Sequence, residues 1–217
     1  MRIALFDLDG TITYRDTLVP FILGWLRERR LGGIRLLRAT PAVLHYAFDH
    51  DRGRLKGDLL HATLGGTSRS DLEGWAERFA RATVASQVMP GAREAIDRHR
   101  LAGDRLVLMS ASVDCYVPRV AALLGFANVI CTPVLWDGDK LDGRLAGPNC
   151  RGDEKARQLR SLQERHPRAE IVAYGNSMSD VPHLCLAARG VFVNAPPRAR
   201  SRLIRRGLIC ENWRRPR

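Results

Sequence analysis

An α/β fold built on a parallel sheet and interrupted by one inserted helical segment is what this sequence predicts, and three observations lead there. The chain opens on a short apolar run, "IALF", that ends in the acidic turn Asp7-Leu8-Asp9-Gly10. Residues 16–86 then have the texture of one helix after another. From residue 88 onward helical and strand patterns alternate, as they do in a sheet whose strands are joined by crossover helices.

Taken in order, residues 3–6 are expected to form a buried strand that feeds a turn at Asp9-Gly10-Thr11. Within the helical stretch, Thr40-Pro41 has the pattern of an N-cap followed by proline at the first helical position. Ser70-Asp71-Leu72-Glu73 has that of a capping box. "AREAIDRHRLAG" is a helix closed by Gly103, and "DRLVLMS" is a strand whose continuously apolar middle suits a parallel sheet covered on both faces. A helix over 114–124, a strand over 128–132 and an Asp-Gly hairpin in "VLWDGDKLDGRL" follow. A helix over 153–165, the strand 169–175, a helix over 179–188 and the strand 190–194 complete the alternation. The first strand belongs with the later ones, so the core is expected to be residues 1–15 and 87–217, with a helical unit of residues 16–86 inserted. The basic end "PPRARSRLIRRGLICENWRRPR" reads as a low-complexity tail.

At 217 residues, 45% hydrophobic and 27% charged, the chain can bury one substantial core and is neither disordered nor fibrous. Its five scattered cysteines form no CxxC or Cys/His cluster, which argues against a disulfide framework or a zinc site and for a reducing, cytoplasmic setting. The six histidines show no ligand spacing, and Phe21, Trp25 and Tyr46 are expected to pack helices. The first apolar stretch, "IALF", is interrupted at once by Asp7 and Asp9, so no signal peptide is expected, and "TLVPFILGWL" is about half the length of a bilayer-spanning helix and contains Pro20, so no transmembrane segment is expected either. The net charge of +12 attracts polyanions: phosphorylated small molecules, anionic lipid or nucleic acid. No zinc finger, helix-turn-helix or aromatic RNA-binding signature accompanies it, which disfavours nucleic acid. "LVPFILGWLRERR" and "IRLLRATPAVLHYAF" are apolar and edged with arginine, a composition that suits peripheral contact with an anionic membrane, here at its inner face, or a plain hydrophobic helical core.

Ionised carboxylates at the end of a buried strand are expensive unless compensated, so Asp7 and Asp9 call for a cation. In open α/β sheets ligands gather at the carboxyl ends of strands. Four such ends carry polar residues: Asp7 and Asp9 after the first strand, Ser110 and Ser112 after "RLVLM", Lys155 after the hairpin, and Asn176 with Asp180 after "IVAYG". Acids, a lysine, hydroxyls and a glycine turn amount to a Mg²⁺ site with a phosphate pocket. The residue types assign the roles: Asp7 attacks phosphorus and forms an aspartyl-phosphate, Asp9 protonates the leaving alkoxide and later activates water, and Ser110 and Lys155 hold phosphoryl oxygens. Gly10, Ala111 and Ser112 would line the phosphate pocket. Taken singly each has a plainer alternative: an Asx turn at Asp7 and Asp9, helix caps at Ser110, Ser112 and Asp180.

Together these residues resemble the haloacid dehalogenase superfamily, and within it the phosphoserine-phosphatase-like subfamily IB. "FDLDGTIT" resembles its first motif, "LMSAS" its second, Lys155 in "GPNCRGDEKARQL" its third and "YGNSMSDVPHL" its fourth, in the right order along essentially the whole chain. The resemblance implies a Rossmann-like core with an inserted helical cap of the C1 type. It also implies Mg²⁺ bound by Asp7, the Asp9 main-chain carbonyl and the fourth-motif acid position. An acid at Asp9 marks the family's phosphatases and mutases. The sequence departs from the pattern at Asn176, where phosphoserine phosphatases carry a coordinating aspartate; an amide oxygen still ligates but brings no charge, so Asp180 gains weight as a ligand. Asp16 stands where those enzymes place a glutamate that grips the substrate amine, which implies a small metabolite such as an amino-alcohol phosphate. A lipid phosphate, as in phosphatidylglycerophosphate phosphatases, and a non-catalytic polyanion-binding role on the same fold are the alternatives.

Overall fold

The structure is a computed structural model that describes residues 1–30 and 32–214, the side chains of residues 32–34 excepted. Strand β1 (Arg2–Phe6) is followed by five consecutive helices, α1 (Leu18–Glu28), α2 (Gly32–Arg38), α3 (Thr40–Asp49), α4 (Arg52–Leu64) and α5 (Arg69–Gln87). Then come α6 (Pro90–Leu101), β2 (Arg105–Val113), α7 (Val117–Leu123), β3 (Asn128–Thr132) and a hairpin of β4 (Val134–Asp137) and β5 (Lys140–Leu145). The chain ends through α8 (Asp153–Arg165), β6 (Glu170–Gly175), α9 (Val181–Leu186), β7 (Arg189–Val193), α10 (Pro197–Arg205) and β8 (Ile209–Glu211).

Six of these strands form one parallel sheet in the order β3-β2-β1-β6-β7-β8. The chain winds outward from β1 through β2 to β3, then returns to the other side of β1 to lay down β6, so the order reverses beside β1. Its carboxyl end is therefore the place where crossovers diverge and leave a crevice. Alternation along the strands fills both faces. Ala4 and Phe6 pack with Leu106, Leu108, Val172 and Tyr174 towards α5, α6 and α7. Ile3 and Leu5 pack with Val107, Met109, Ile171 and Ala173 towards α8, α9 and α10. Both faces of β1 being covered explains the unbroken apolar run that precedes Asp7.

The helical insert leaves and re-enters the sheet through neighbouring strands of chain. Thr13 and Val88 form an antiparallel bridge, Tyr14 N donates to Gln87 O at 2.9 Å, and Met89 N to Ile12 O at 2.9 Å. The hairpin β4–β5, though it lies beyond the insert in sequence, is tied to it by main-chain bonds from Gly66 N to Leu141 O (2.8 Å) and from Leu141 N to Thr67 O (2.9 Å).

Several local expectations are corrected. The basic C-terminal stretch is not a tail: α10 buries Leu203, β8 extends the sheet beside β7, and Trp213 is buried against Tyr174 at a ring separation of 5.1 Å. Only residues 215–217 of it lie outside the described residues. Helix α5 is capped by Ser68, whose Oγ accepts from Asp71 N at 3.3 Å, two residues before the expected box. Helix α3 takes Thr40 as its first residue with Ala39 before it, because near-helical angles at Ala39 (φ −83°, ψ −10°) carry α2 almost directly into α3 and leave no extended residue to cap. Strand β2 runs through Ser110 to Val113. Among the described residues, no helix is long and apolar enough to cross a membrane.

Candidate active site

The end of β1 is held down by the sheet itself: Asp7 N donates to Tyr174 O at 3.0 Å, continuing the pairing with β6 one residue past the strand. The Asp7 side chain is thereby fixed in the crevice, only 6% exposed. Lys155, from the first turn of α8 and 2% exposed, reaches it from below, with Nζ 2.6 Å from Asp7 Oδ1 and 2.8 Å from Asp180 Oδ1. The second Asp7 oxygen, Oδ2, accepts from Thr11 Oγ1 at 2.7 Å, and the same hydroxyl lies 3.3 Å from Asn176 Oδ1. Lys155 of α8, 148 positions away in sequence, thus converges with Thr11 on one carboxylate, and the loop after β6 joins them through Asn176 on Thr11 and Asp180 on Lys155.

Gly10 is the turn that makes this approach close. Its φ is +75°, and a Cβ there would collide with the Asn176 carboxamide. Gly175 has a parallel role at the end of β6, where a Cβ would press on Asp180.

Asp9 is gripped by the insert and by β2. Thr17 donates to its Oδ1 from both N (2.8 Å) and Oγ1 (2.6 Å), Ser112 Oγ donates to Oδ2 at 2.6 Å, and Tyr116 OH lies 2.8 Å from Thr17 Oγ1. Ser112, expected on the phosphate, therefore has its hydroxyl on Asp9, because the strand continues past Ser110 and turns alternate side chains the same way. Ser110 is fully buried, its Oγ accepts from Ser112 N at 3.0 Å, and it does not reach the cavity surface. Neither serine caps α7.

Electrostatics follow from burial. Desolvation pushes the Asp7 carboxyl up to about 7 against the pull of Lys155, with Asp180 and Asp9 adding to the rise. Asp9 is also raised, by burial and by Asp16, against the bonds from Ser112 and Thr17. Burial acts on Asp180 in the same sense, but Lys155, His183 and Ser177 outweigh it and hold that carboxyl at about 2. Lys155 stays charged: burial disfavours its ammonium, yet Asp7 and Asp180 raise it.

A cavity of about 750 Å³ opens above these groups, between the sheet and the insert, and takes in Asp7, Asp9, Gly10, Ala111, Ser112, Lys155, Asn176 and Asp180. Asp16 lines it too, with Oδ1 accepting from Leu18 N at 2.9 Å. So does Tyr46 of α3.

Lys56 of α4 is a site residue that the sequence reading missed. Its ammonium bonds the Ala111 carbonyl and lies 2.6 Å from Asn149 Oδ1, so it ties the insert to the carboxyl end of β2. Burial lowers it to about 8 although Asp9 and Asp16 favour its charge. A signal for it existed: the chain has 32 arginines and three lysines, and two of those three, Lys56 and Lys155, face this cavity. Thr11 and Thr17 carried no comparable signal.

The oxygens available for a hard divalent ion can be tested against this geometry. Among the described residues no three His, Cys, Asp or Glu side chains converge as a metal-holding group. Asp180 is fully engaged, with Oδ1 on Lys155 and Oδ2 accepting from Asn176 N (3.3 Å), Ser177 N (2.9 Å) and Ser177 Oγ (2.7 Å). The Thr11 hydroxyl bridges Asp7 Oδ2 and the Asn176 carboxamide oxygen, and the Asp9 carbonyl accepts no hydrogen bond from any described residue. A carboxylate, a carboxamide and a carbonyl oxygen suit Mg²⁺, which keeps several waters and needs no nitrogen or sulfur ligand.

Comparison with known proteins agrees with this geometry. Residues 4–184 match the family of haloacid dehalogenase-like hydrolases, so the chain belongs to that family and is a hydrolase of the α/β, parallel-sheet kind that family builds. It is 34% identical over 183 residues to protein CicA of Caulobacter vibrioides, covering 84% of this chain and 81% of CicA. It is 26% identical over 218 residues to a probable phosphatase of Mycobacterium tuberculosis, covering 98% of this chain and 76% of that protein. A phosphoserine phosphatase solved as an analogue of its phospho-aspartyl intermediate shares the fold with a TM-score of 0.67 at 17% identity, over 99% of this chain and 94% of that one.

Proposed function

We propose that this hydrolase is a Mg²⁺-dependent phosphomonoesterase working through an aspartyl-phosphate on Asp7, and that residues 16–86 cap its site. The observation that carries the reading is the buried arrangement of Asp7, Lys155 and Asp180, with one oxygen of Asp7 on the lysine and the other linked through the Thr11 hydroxyl to Asn176. A structural salt bridge would not need two carboxylates around one lysine under an open cavity.

On this reading Asp7 attacks phosphorus in line with the ester oxygen, and the P–O bond to the leaving group breaks as the Asp7–P bond forms. Lys155 and the turn at Gly10 sit against the incoming phosphoryl oxygens. Asp180 acts through Lys155, fixing where its charge is held. Asp9, raised by burial, donates its proton to the departing alkoxide and recovers it from the water that cleaves the aspartyl-phosphate. Asp7, the Asp9 carbonyl and Asn176 would hold the Mg²⁺, whose charge offsets that of the phosphoryl group. Lys56, Asp16 and Tyr46 face the leaving group, which we take to be that of a small phosphorylated metabolite.

Hydrolysis of p-nitrophenyl phosphate with Mg²⁺, with EDTA, and with Asp7→Asn tests this. Expected are turnover that needs the metal, its loss in the variant, and a phosphoryl adduct on the Asp7 peptide after rapid quenching. Turnover that survives Asp7→Asn excludes the mechanism.

A further inference from the structure

The insert exposes more apolar surface than the packing of a helical unit accounts for. Helices α2 and α3 follow one another through Ala39, and Leu36, Leu37, Val43, Leu44 and Phe48 all stand out into solvent. Phe48 is 87% exposed and Leu37 73%, values at which a side chain contributes nothing to the core. Five exposed apolar side chains on two adjoining short helices mark an interaction surface.

The charges around it say what covers it. Exposed Arg27 and Arg30, at the end of α1, and Arg38, at the end of α2, form no ion pair with any described residue, while the nearby acids are already engaged: Glu28 by Arg78 and Asp49 by Arg54. The patch therefore presents apolar side chains bordered by unneutralised guanidinium groups, on a chain of net charge +12. A second copy is a poor occupant, because a two-fold contact would set each arginine border against its own image. An anionic lipid surface fits both parts, taking the apolar side chains below the headgroups and the arginines among the phosphates.

We propose that the α2–α3 face of the insert docks this protein on anionic lipid bilayers. The contact is interfacial, in keeping with the absence, among the described residues, of a helix able to span a membrane. Val19 of α1, itself 52% exposed, and Tyr46 of α3 line the catalytic cavity, so the docked face and the cavity share their helices. Docking does not depend on the phosphatase reading, since binding is measured without turnover.

The test is co-sedimentation of the full chain with vesicles of phosphatidylcholine alone or mixed with phosphatidylglycerol, at low and high salt. Expected is binding to the mixed vesicles at least about tenfold stronger than to phosphatidylcholine, weakening with salt, since each arginine at an anionic surface adds about fivefold. Leu37→Ser/Leu44→Ser/Phe48→Ser should lower binding by about tenfold or more and leave p-nitrophenyl phosphate turnover unchanged. Phe48→Ser alone, at a position that supports no packing, gives the same direction should the triple variant fold poorly. Arg27→Gln/Arg30→Gln/Arg38→Gln should flatten the salt dependence. Absence of binding to the mixed vesicles, binding indifferent to the serine variants, or a dimer in light scattering that Phe48→Ser dissociates overturns the proposal.

Discussion

Replacing Lys155 by methionine is the most searching perturbation of this site, because its cost can be worked from the geometry. Nζ lies 2.6 Å from one buried carboxylate and 2.8 Å from another. At an effective dielectric of about 20 each contact is worth about 6 kcal/mol before desolvation. Most of that is offset by burying the charges, and removal of one partner from such a group costs about 3–5 kcal/mol net. Asp7, already raised to about 7 beside Lys155, and Asp180, held at about 2 with its help, are then left facing one another without a cation, and the variant limits the damage by letting Asp180 take up a proton that the wild type does not bind there. That carboxyl has a native pKa above its unfolded value near 4, so the native state binds the extra proton and stability falls as pH rises through this window. Proton uptake costs about 1.4 kcal/mol per pH unit, which sets the deficit at about 4 kcal/mol at pH 7 and about 1.5 kcal/mol at pH 5. Urea unfolding of both proteins in EDTA at pH 5, 6 and 7 measures it. A deficit below about 1 kcal/mol at pH 7, or one equal at pH 5 and pH 7, refutes the reasoning.

Three further outcomes are expected. Lys56, lowered to about 8 by burial, binds fewer protons folded than unfolded between about pH 8 and 10.5. Wild-type stability should therefore gain up to about 3 kcal/mol over that window relative to Lys56→Met, read as the difference between their urea midpoints. Gly10→Ala forces a side chain onto a φ of +75° and into the Asn176 carboxamide; we expect a loss of about 1–3 kcal/mol in thermal unfolding and a larger loss of turnover than of stability predicts. Asn176→Asp adds a charge to the proposed oxygen set, so the Mg²⁺ concentration for half-maximal turnover should fall by about tenfold in a metal titration.

Much of the fold was legible because its causes are local. A strand buried on both faces must be continuously apolar, and β1, β2 and β6 are; a chain that alternates such runs with amphipathic helices has few ways to close other than a wound parallel sheet. The C-terminal stretch misled for the same reason. Its arginines dominate the composition, whereas its place depends on Leu203 and Trp213, two side chains whose partners lie on β7, α6 and β6.

For this protein, sequence alone determined that acids follow β1 and that Asn176 and Asp180 follow β6, since each pair sits just past the point where its own run of residues stops being apolar. Only the tertiary structure decided what those groups touch. It set Ser112 and Thr17 on Asp9, shared Lys155 between Asp7 and Asp180, closed both oxygens of Asp180, and brought Lys56 across from α4 to the Ala111 carbonyl. The physical reason is that hydrogen bonds and Coulomb attraction act over a few ångströms of space regardless of separation along the chain. The contacts that tune the site therefore join residues as many as 165 positions apart, and no local pattern records them.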